Sequence, residues 1–173
     1  MSRLATSYLA FLFAAMNRKT GRFRNFMSHG RHWLEDSGSE DSHARALWAA
    51  GTGGGRSRNE GHRKLSALLF ERGLSVVHAF SSPRAWAFAL LGIHEYLHRF
   101  PDHSIVKALR EALTLRLVGL WKGCATDNWP WFEPSATYDN ARLCQALLLS
   151  GQLMPHAEAL ESGLDSLRWL VSV

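Results

Sequence analysis

One pattern restricts the fold of this chain more than any other. Helical segments that are apolar nearly all round alternate, three times, with segments apolar on one face only. The all-apolar members are HARALWAAG from His43, RAWAFALLGIHEYLHRF from Arg84 and NARLCQALLLSG from Asn140. Among the others, His62–Phe80 carries Leu65, Leu68, Leu69 and Val76 on one face, and Ser104–Gly123 repeats Ile105, Leu109, Leu113, Leu117 and Leu120. Pro155–Val171 turns Ala159, Leu164, Leu167 and Leu170 inward. A helix apolar on every side has to be buried, and a helix with one apolar stripe can cover it. The alternation therefore predicts an all-α fold of stacked antiparallel helical hairpins, the inner helix buried and the outer one half-exposed. Leu4–Met16 adds one helix ahead of the first hairpin. No segment has the two-residue period of a strand.

Punctuation refines the picture. Ser42 is predicted to cap the first inner helix, and the glycines at 51 and 53–55 to stop it, leaving GTGGGRSRNEG as a loop. Ser82-Pro83 opens the second, with proline at its favoured first-turn position, and Pro101 ends it. Asp139 is predicted to cap the third. Each inner helix also carries an arginine in its first turn (Arg45, Arg84 and Arg142), which makes a weak internal repeat of unequal spacing. Three such hairpins make an arc, not a closed ring. Loops entering the inner helices then lie at one end, so Gly21–Asp41 and Cys124–Tyr138 are expected to share one rim.

Composition narrows the class. The 173 residues suit one domain spanning 1–173, large enough to bury a core. A net charge of +5 is scattered except at Arg18–Arg31 and Arg56–Lys64. The first run interleaves two phenylalanines with its basic residues, yet no zinc-finger, RNP or GxxG pattern accompanies it, so nucleic acid is not an expected partner. Cys124 and Cys144 form no CxxC pair, which favours a reducing, cytoplasmic setting over a disulfide scaffold. Leu9–Met16 is faintly like a signal peptide, but basic residues follow where a cleavage site belongs. No apolar run reaches the length of about 18 residues that spans a bilayer. No membrane partner is expected.

The loop WKGCATDNWPWFEPSATYDNAR, from Trp121, holds the densest chemistry. Trp121, Trp129, Trp131, Phe132 and Tyr138 stand beside Asp127, Glu133 and Asp139. Aromatic faces stack on pyranose rings, and carboxylic acids move protons at glycosidic oxygens. The same tryptophans would equally serve as a hydrophobic plug under a long loop. Glu133, directly after Trp131-Phe132, is the preferred acid, with Asp139 or Asp41 as base or nucleophile. Asp41 and Asp139 each precede an inner helix, where capping alone would account for an aspartate. Capping leaves Arg45 and Arg142 unexplained, because a cation in the first turn opposes the helix dipole and needs a carboxylate. The predicted binding set is Trp129, Trp131, Asp127, Tyr138, Asn140, Arg142, Arg45 and His43, around a saccharide ligand.

His94-Glu95-Tyr96-Leu97-His98 matches HExxH, which on a helix sets two imidazoles on one face for zinc and supplies a glutamate base. Against a metallopeptidase stand Arg99 directly after the motif, the missing HExxHxxGxxH extension, no ExxxD pattern at Glu111, and a position at the helix tail before Pro101. Histidine is also favourable at a helix C-terminus. GxxxxGK[ST], GxGxxG and GxSxG are absent from the sequence, and no metal or other cofactor is expected.

The runs GRFRNFMSHGRHWLEDSGSEDSHARALWAAGT, SPRAWAFALLGIHEYLHRFPD and DNWPWFEPSATYDNARLCQALLLSG resemble a bacterial helical-toroid domain. That domain occurs alone or fused to family-4 glycosyltransferases, and its shape is similar to the six-hairpin (α/α) glycosidase toroids. The resemblance implies an incomplete (α/α) toroid arc and a part in carbohydrate metabolism, as an enzyme or as a non-catalytic sugar-binding or scaffolding module serving a glycosyltransferase. It leaves the toroid's own reaction open. It further implies that this chain corresponds to the C-terminal half of the domain, so a glycosyltransferase or the missing N-terminal half is an expected partner. Ala44 in place of a usual glycine, and Pro134-Ser135-Ala136 before Tyr138, depart from the family pattern.

Overall fold

A computed structural model describes residues 2–154 and 156–173. Helices α1 (Ser2–Ala15), α2 (Glu40–Arg56), α3 (Glu60–Leu74), α4 (Pro83–Leu97), α5 (Ser104–Cys124), α6 (Asn140–Leu153) and α7 (Ala157–Ser172) follow in order, with one 3-10 turn at Val77–Ala79. Among the described residues the only β-type pairing is isolated bridges, such as Met16 with Phe23 and Thr126 with Trp129. The chain is all-α, as the periodicity requires.

Helices α2 to α7 pack as three antiparallel pairs. His43 at the start of α2 bonds Gly73 at the end of α3, and Gly151 and Gly163 bring α6 and α7 together in opposed directions. Within the stack α2, α4 and α6 run parallel, with α4 in the middle. Burial ranks them: eleven of the fifteen α4 residues are buried, against five of twenty-one on α5. Each large apolar side chain so enclosed contributes about 1.5–3 kcal/mol, so α4 is the main source of cohesion. α1 packs on α3 and leaves Leu4, Tyr8 and Phe11 exposed.

Several expectations need correction. α2 begins at Glu40, capped by Ser39, whose side chain accepts from the Ser42 amide; Ser42 itself lies inside the helix. The glycines do not stop α2 either. They continue it to Arg56, because they are the places where α2 touches its neighbours through bare backbone. A Cβ on Gly51 would come within 2.2 Å of the Gly92 carbonyl oxygen, one on Gly55 within 1.8 Å of the Glu95 oxygen, and one on Gly53 within 2.3 Å of Ser66 Oγ. Close backbone approach, which only glycine allows, has overridden the helix-breaking tendency of the residue. The loop predicted over this tract shrinks to Ser57–Asn59, where Asn59 caps α3.

α3 ends at Leu74, short of the predicted Phe80. Its buried face is Ser66, Leu69, Phe70, Gly73 and Leu74, and Leu68 lies outside it. On α5 Ile105 is exposed, while Val106, Leu113, Thr114, Leu117 and Val118 form the inward face. On α7 the small residues Ala159, Ser162, Gly163 and Ser166 are buried, with Leu164, Leu167 and Leu170 flanking. Pro155, the predicted start of this helix, lies outside the described residues. The prediction at the second inner helix holds: Ser82 caps α4 and Pro83 opens it. No described helix is long and apolar enough to cross a membrane.

Candidate functional site

The starts of α2, α4 and α6 lie together, and three polar links hold them there. The Glu40 carboxylate accepts from the Ser81 and Ser82 amides (2.9 and 2.8 Å), tying the first turn of α2 to the entry of α4. Arg84, in the first turn of α4, donates to the Tyr138 carbonyl (2.6 Å), Glu133 Oε2 (2.6 Å) and Asn140 Oδ1 (3.0 Å). Arg45, on α2, donates from Nε to Asp41 Oδ2 (2.7 Å) and from its terminal nitrogen to Asp139 Oδ2. The Tyr138 hydroxyl completes the link by donating to Asp41 Oδ1 (3.0 Å). The structure thus brings Asp41, Arg45, Glu133, Tyr138, Asp139 and Asn140 to one rim.

Asp139 does not cap α6 with its side chain. Its backbone is left-handed (φ 49°), and its carboxylate points to Arg45. A non-glycine residue in that region carries strain on the order of 1 kcal/mol, and aspartate bears it better than most. Asn140 does the local work instead: its side-chain oxygen accepts from the Thr137 amide (3.2 Å) as well as from Arg84.

Arg45, Arg84 and Arg142 each cover an aromatic ring, Arg45 from the second turn of α2, which begins at Glu40, and not from the first turn expected of it. Arg45 lies 4.2 Å from the Phe88 centroid, Arg84 4.7 Å from Tyr138 and Arg142 4.7 Å from Trp48. Such contacts hold a guanidinium flat and in place. Arg142 reaches from α6 to a ring on α2 and bonds Gln145 (2.6 Å) but, among the described residues, no carboxylate. Burial, with the hydrogen bond to Asp41 second, raises the Tyr138 phenol above its ordinary range, so it remains a donor at neutral pH.

The tryptophans behave as the hydrophobic plug. Trp131 is fully buried (0% exposed), against Phe132 and Trp169, and offers no free face to a sugar ring. Trp129 is half-buried, edge-on to Trp169, and donates to the Glu133 carbonyl (2.8 Å). Tyr138, at 49% exposed, is the open aromatic surface of the rim. Asp127 stands elsewhere, in a groove of about 620 Å³ formed with Trp121, Asp165, Arg168 and Trp169 between the ends of α5 and α7.

His43 is a core residue. Its Nδ1 accepts from the Phe23 amide (3.0 Å), its Nε2 bonds the Gly73 carbonyl (2.9 Å), and burial lowers its pKa to about 4. It fastens the long 21–41 loop to the α2–α3 pair in the neutral form and does not face the rim.

No protein-family model, curated protein or solved structure matches the chain. The site is therefore defined by its own geometry. Sequence reasoning missed Arg84 and Glu40. The signal for Arg84 was the internal repeat, since it occupies the position of Arg45 and Arg142. For Glu40 there was none, because its partners are the amides 41 and 42 residues on.

The HExxH residues lie at the other end of α4. Glu95 is ion-paired with Arg56 of α2, and His94 and His98 stand edge to face with ring centroids 6.0 Å apart. Among the described residues no group of three or more His, Cys, Asp or Glu side chains is placed to hold a metal ion.

Proposed function

We propose that the chain binds a saccharide at the rim where α2, α4 and α6 begin, as a carbohydrate-active module of the glycosyltransferase-associated α-toroid type. The observation that carries this reading is the Asp41–Arg45–Asp139 bridge with the Tyr138 hydroxyl on Asp41. Carboxylates, a guanidinium and a phenol fixed against one another present alternating acceptors and donors, which is what vicinal sugar hydroxyls require. The half-exposed Tyr138 ring supplies the apolar face for a pyranose.

Glu133, Asp139 and Asp41 each already hold an arginine. That favours a preformed binding surface over an acid–base pair with a free member. The exposed Leu4, Tyr8 and Phe11 of α1 favour the companion reading, in which the module docks on a glycosyltransferase or on further hairpins of the same toroid.

Titration of the intact chain with a panel of mono- and oligosaccharides, followed by NMR shifts or calorimetry, tests the proposal. Saturable binding that falls about tenfold in Asp41→Asn and in Tyr138→Ala is expected, equivalent to the loss of about 1.4 kcal/mol. Absence of binding across the panel sinks it. Glu133→Gln then sorts the chemistry: an enzyme keeps affinity and loses turnover, whereas a binding module has no turnover to lose.

A further inference from the structure

We propose that the cavity where α4 ends and α5 begins is a binding site for the phosphoryl group of a small phosphorylated molecule. It encloses about 280 Å³, and His94, His98, Lys107 and Arg110 line it over an apolar floor that includes Leu97 and Leu153. All four polar side chains carry N–H groups, and no carboxylate is among its lining residues.

Two of those nitrogens are left over by the fold. His94 Nδ1 and Arg110 Nε are both cut off from solvent and have no hydrogen-bond partner. Buried polar groups are nearly always satisfied, so two orphaned nitrogens on side chains that line one cavity mark hydrogen-bonding capacity the fold leaves unused there. The charges nearby do not answer it. Glu95, the acid of the HExxH run, is engaged by Arg56. Asp102 meets Lys107 only at 3.9 Å from a fully exposed position, where water and salt screen it.

The helical register explains the grouping. His94, in the last turn of α4, and His98, its C-cap, are four residues apart and share one face, and Lys107 and Arg110, three apart, share one face of α5. Packing those faces together sets four N–H-bearing side chains around one cavity. A divalent metal would meet two imidazoles but also an ammonium and a guanidinium, which repel it. A tetrahedral oxyanion meets a planar fork, a point charge and two ring N–H groups, all of the sign it needs. The volume exceeds that of a bare phosphate, and the Leu97 and Leu153 surfaces leave room for a compact organic group beside it.

Calorimetric titration of the intact chain with inorganic phosphate and with a hexose phosphate, at constant ionic strength, tests the site. One saturable site is expected, with Arg110→Gln weakening binding at least tenfold and His94→Gln severalfold. Arg168→Gln, beside the groove at the opposite end, should bind as the parent does. Tighter binding of the hexose phosphate assigns the rest of the cavity to the organic group, and equal binding assigns the site to phosphate alone. Circular dichroism and urea midpoints check folding; if Arg110→Gln does not fold, His94→Gln decides. The proposal is overturned if neither ligand gives saturable heat, if Arg168→Gln loses as much as Arg110→Gln, or if zinc binds the histidines while phosphate does not.

Discussion

Near the start of each inner helix an arginine has partners within the chain: two carboxylates for Arg45, a carboxylate, a carbonyl and an amide for Arg84, and an amide for Arg142. Where α4 finishes, Arg110 Nε and His94 Nδ1 are buried without any. The two ends use similar side chains and differ in what was folded in beside them. At the starting end, helix dipoles oppose the arginines, and Asp41, Glu133 and Asp139 offset both the dipoles and the cations. At the finishing end Glu95 is taken by Arg56 and Asp102 meets only Lys107, so neither acid reaches His94 Nδ1 or Arg110 Nε. A paired guanidinium organises the chain around itself, whereas an unpaired one beside a cavity has capacity left for a ligand.

The largest effect is expected where backbone contact sets the position of the finishing end. Gly51→Ala places a methyl against the Gly92 carbonyl, and Gly55→Ala places one against that of Glu95. Neither neighbour is a flexible side-chain tip, so α2 and α4 must separate. A loss of more than about 3 kcal/mol is expected from urea denaturation for each. Gly123→Ala, whose Cβ meets nothing, should be neutral or slightly stabilising, since helical glycine is costly. Equal effects at Gly51 and Gly123 would break the claim that this contact fixes the stack.

At the starting end Arg84 is the counterpart. It is 4% exposed, and its removal leaves the Glu133 carboxylate and the Tyr138 carbonyl without their donor. Arg84→Met should cost about 3 kcal/mol in urea denaturation, as removal of one partner from a buried pair does. The double variant with Glu133→Gln should recover part of that loss. Full additivity would mean the two residues act separately and would weaken the picture of a closed network.

These two tests also mark what the sequence made legible. The buried helices were readable because an all-round apolar segment has few alternatives, and α4 lies between α2 and α6 as its composition demands. The rim was readable because the entry loops of parallel inner helices must lie at one end. The glycine tract was misjudged because helix propensity is a local quantity, and the close approach of α2 to α4 is not. Trp131 was misjudged for a related reason: indole is equally suited to a sugar face and to a core, and only the position of Trp169, thirty-eight residues on, separates the two. His43 looks like a rim residue in SEDSHAR, yet one helical turn past the cap already faces inward. The orphan nitrogens left no trace at all, because a missing partner cannot be read from the residue that lacks it.

Titration of His43 sharpens the comparison in pH. Its folded-state pKa of about 4 lies below the ordinary 6.5, chiefly through burial, so between those values the unfolded chain binds the extra proton. Stability therefore rises with pH across that window and is lost as pH falls through it. From this residue alone, unfolding free energy should drop by about 2 kcal/mol between pH 7 and pH 5. His43→Gln should lower stability at neutral pH and flatten that slope. An unchanged slope would show that the buried imidazole is not the group responsible.

The smallest effect separates structure from recognition at the rim itself. Arg45 and its two carboxylates are all partly exposed, at 42%, 29% and 34% for the side chains of Arg45, Asp41 and Asp139. Solvent screening reduces such pairs to about 1 kcal/mol or less, far below the buried Arg84 pair. Arg45→Met should accordingly shift the urea midpoint only slightly, and added salt should erase most of the difference. Saccharide affinity should fall by a much larger factor, because Asp41 and Asp139 lose the cation that holds them at one spacing. That split, with little change in stability and a large change in binding, is the signature of a surface kept for a ligand. A stability loss as large as that of Arg84→Met would instead make the bridge a strut, and the rim would differ from the rest of the stack only in being charged.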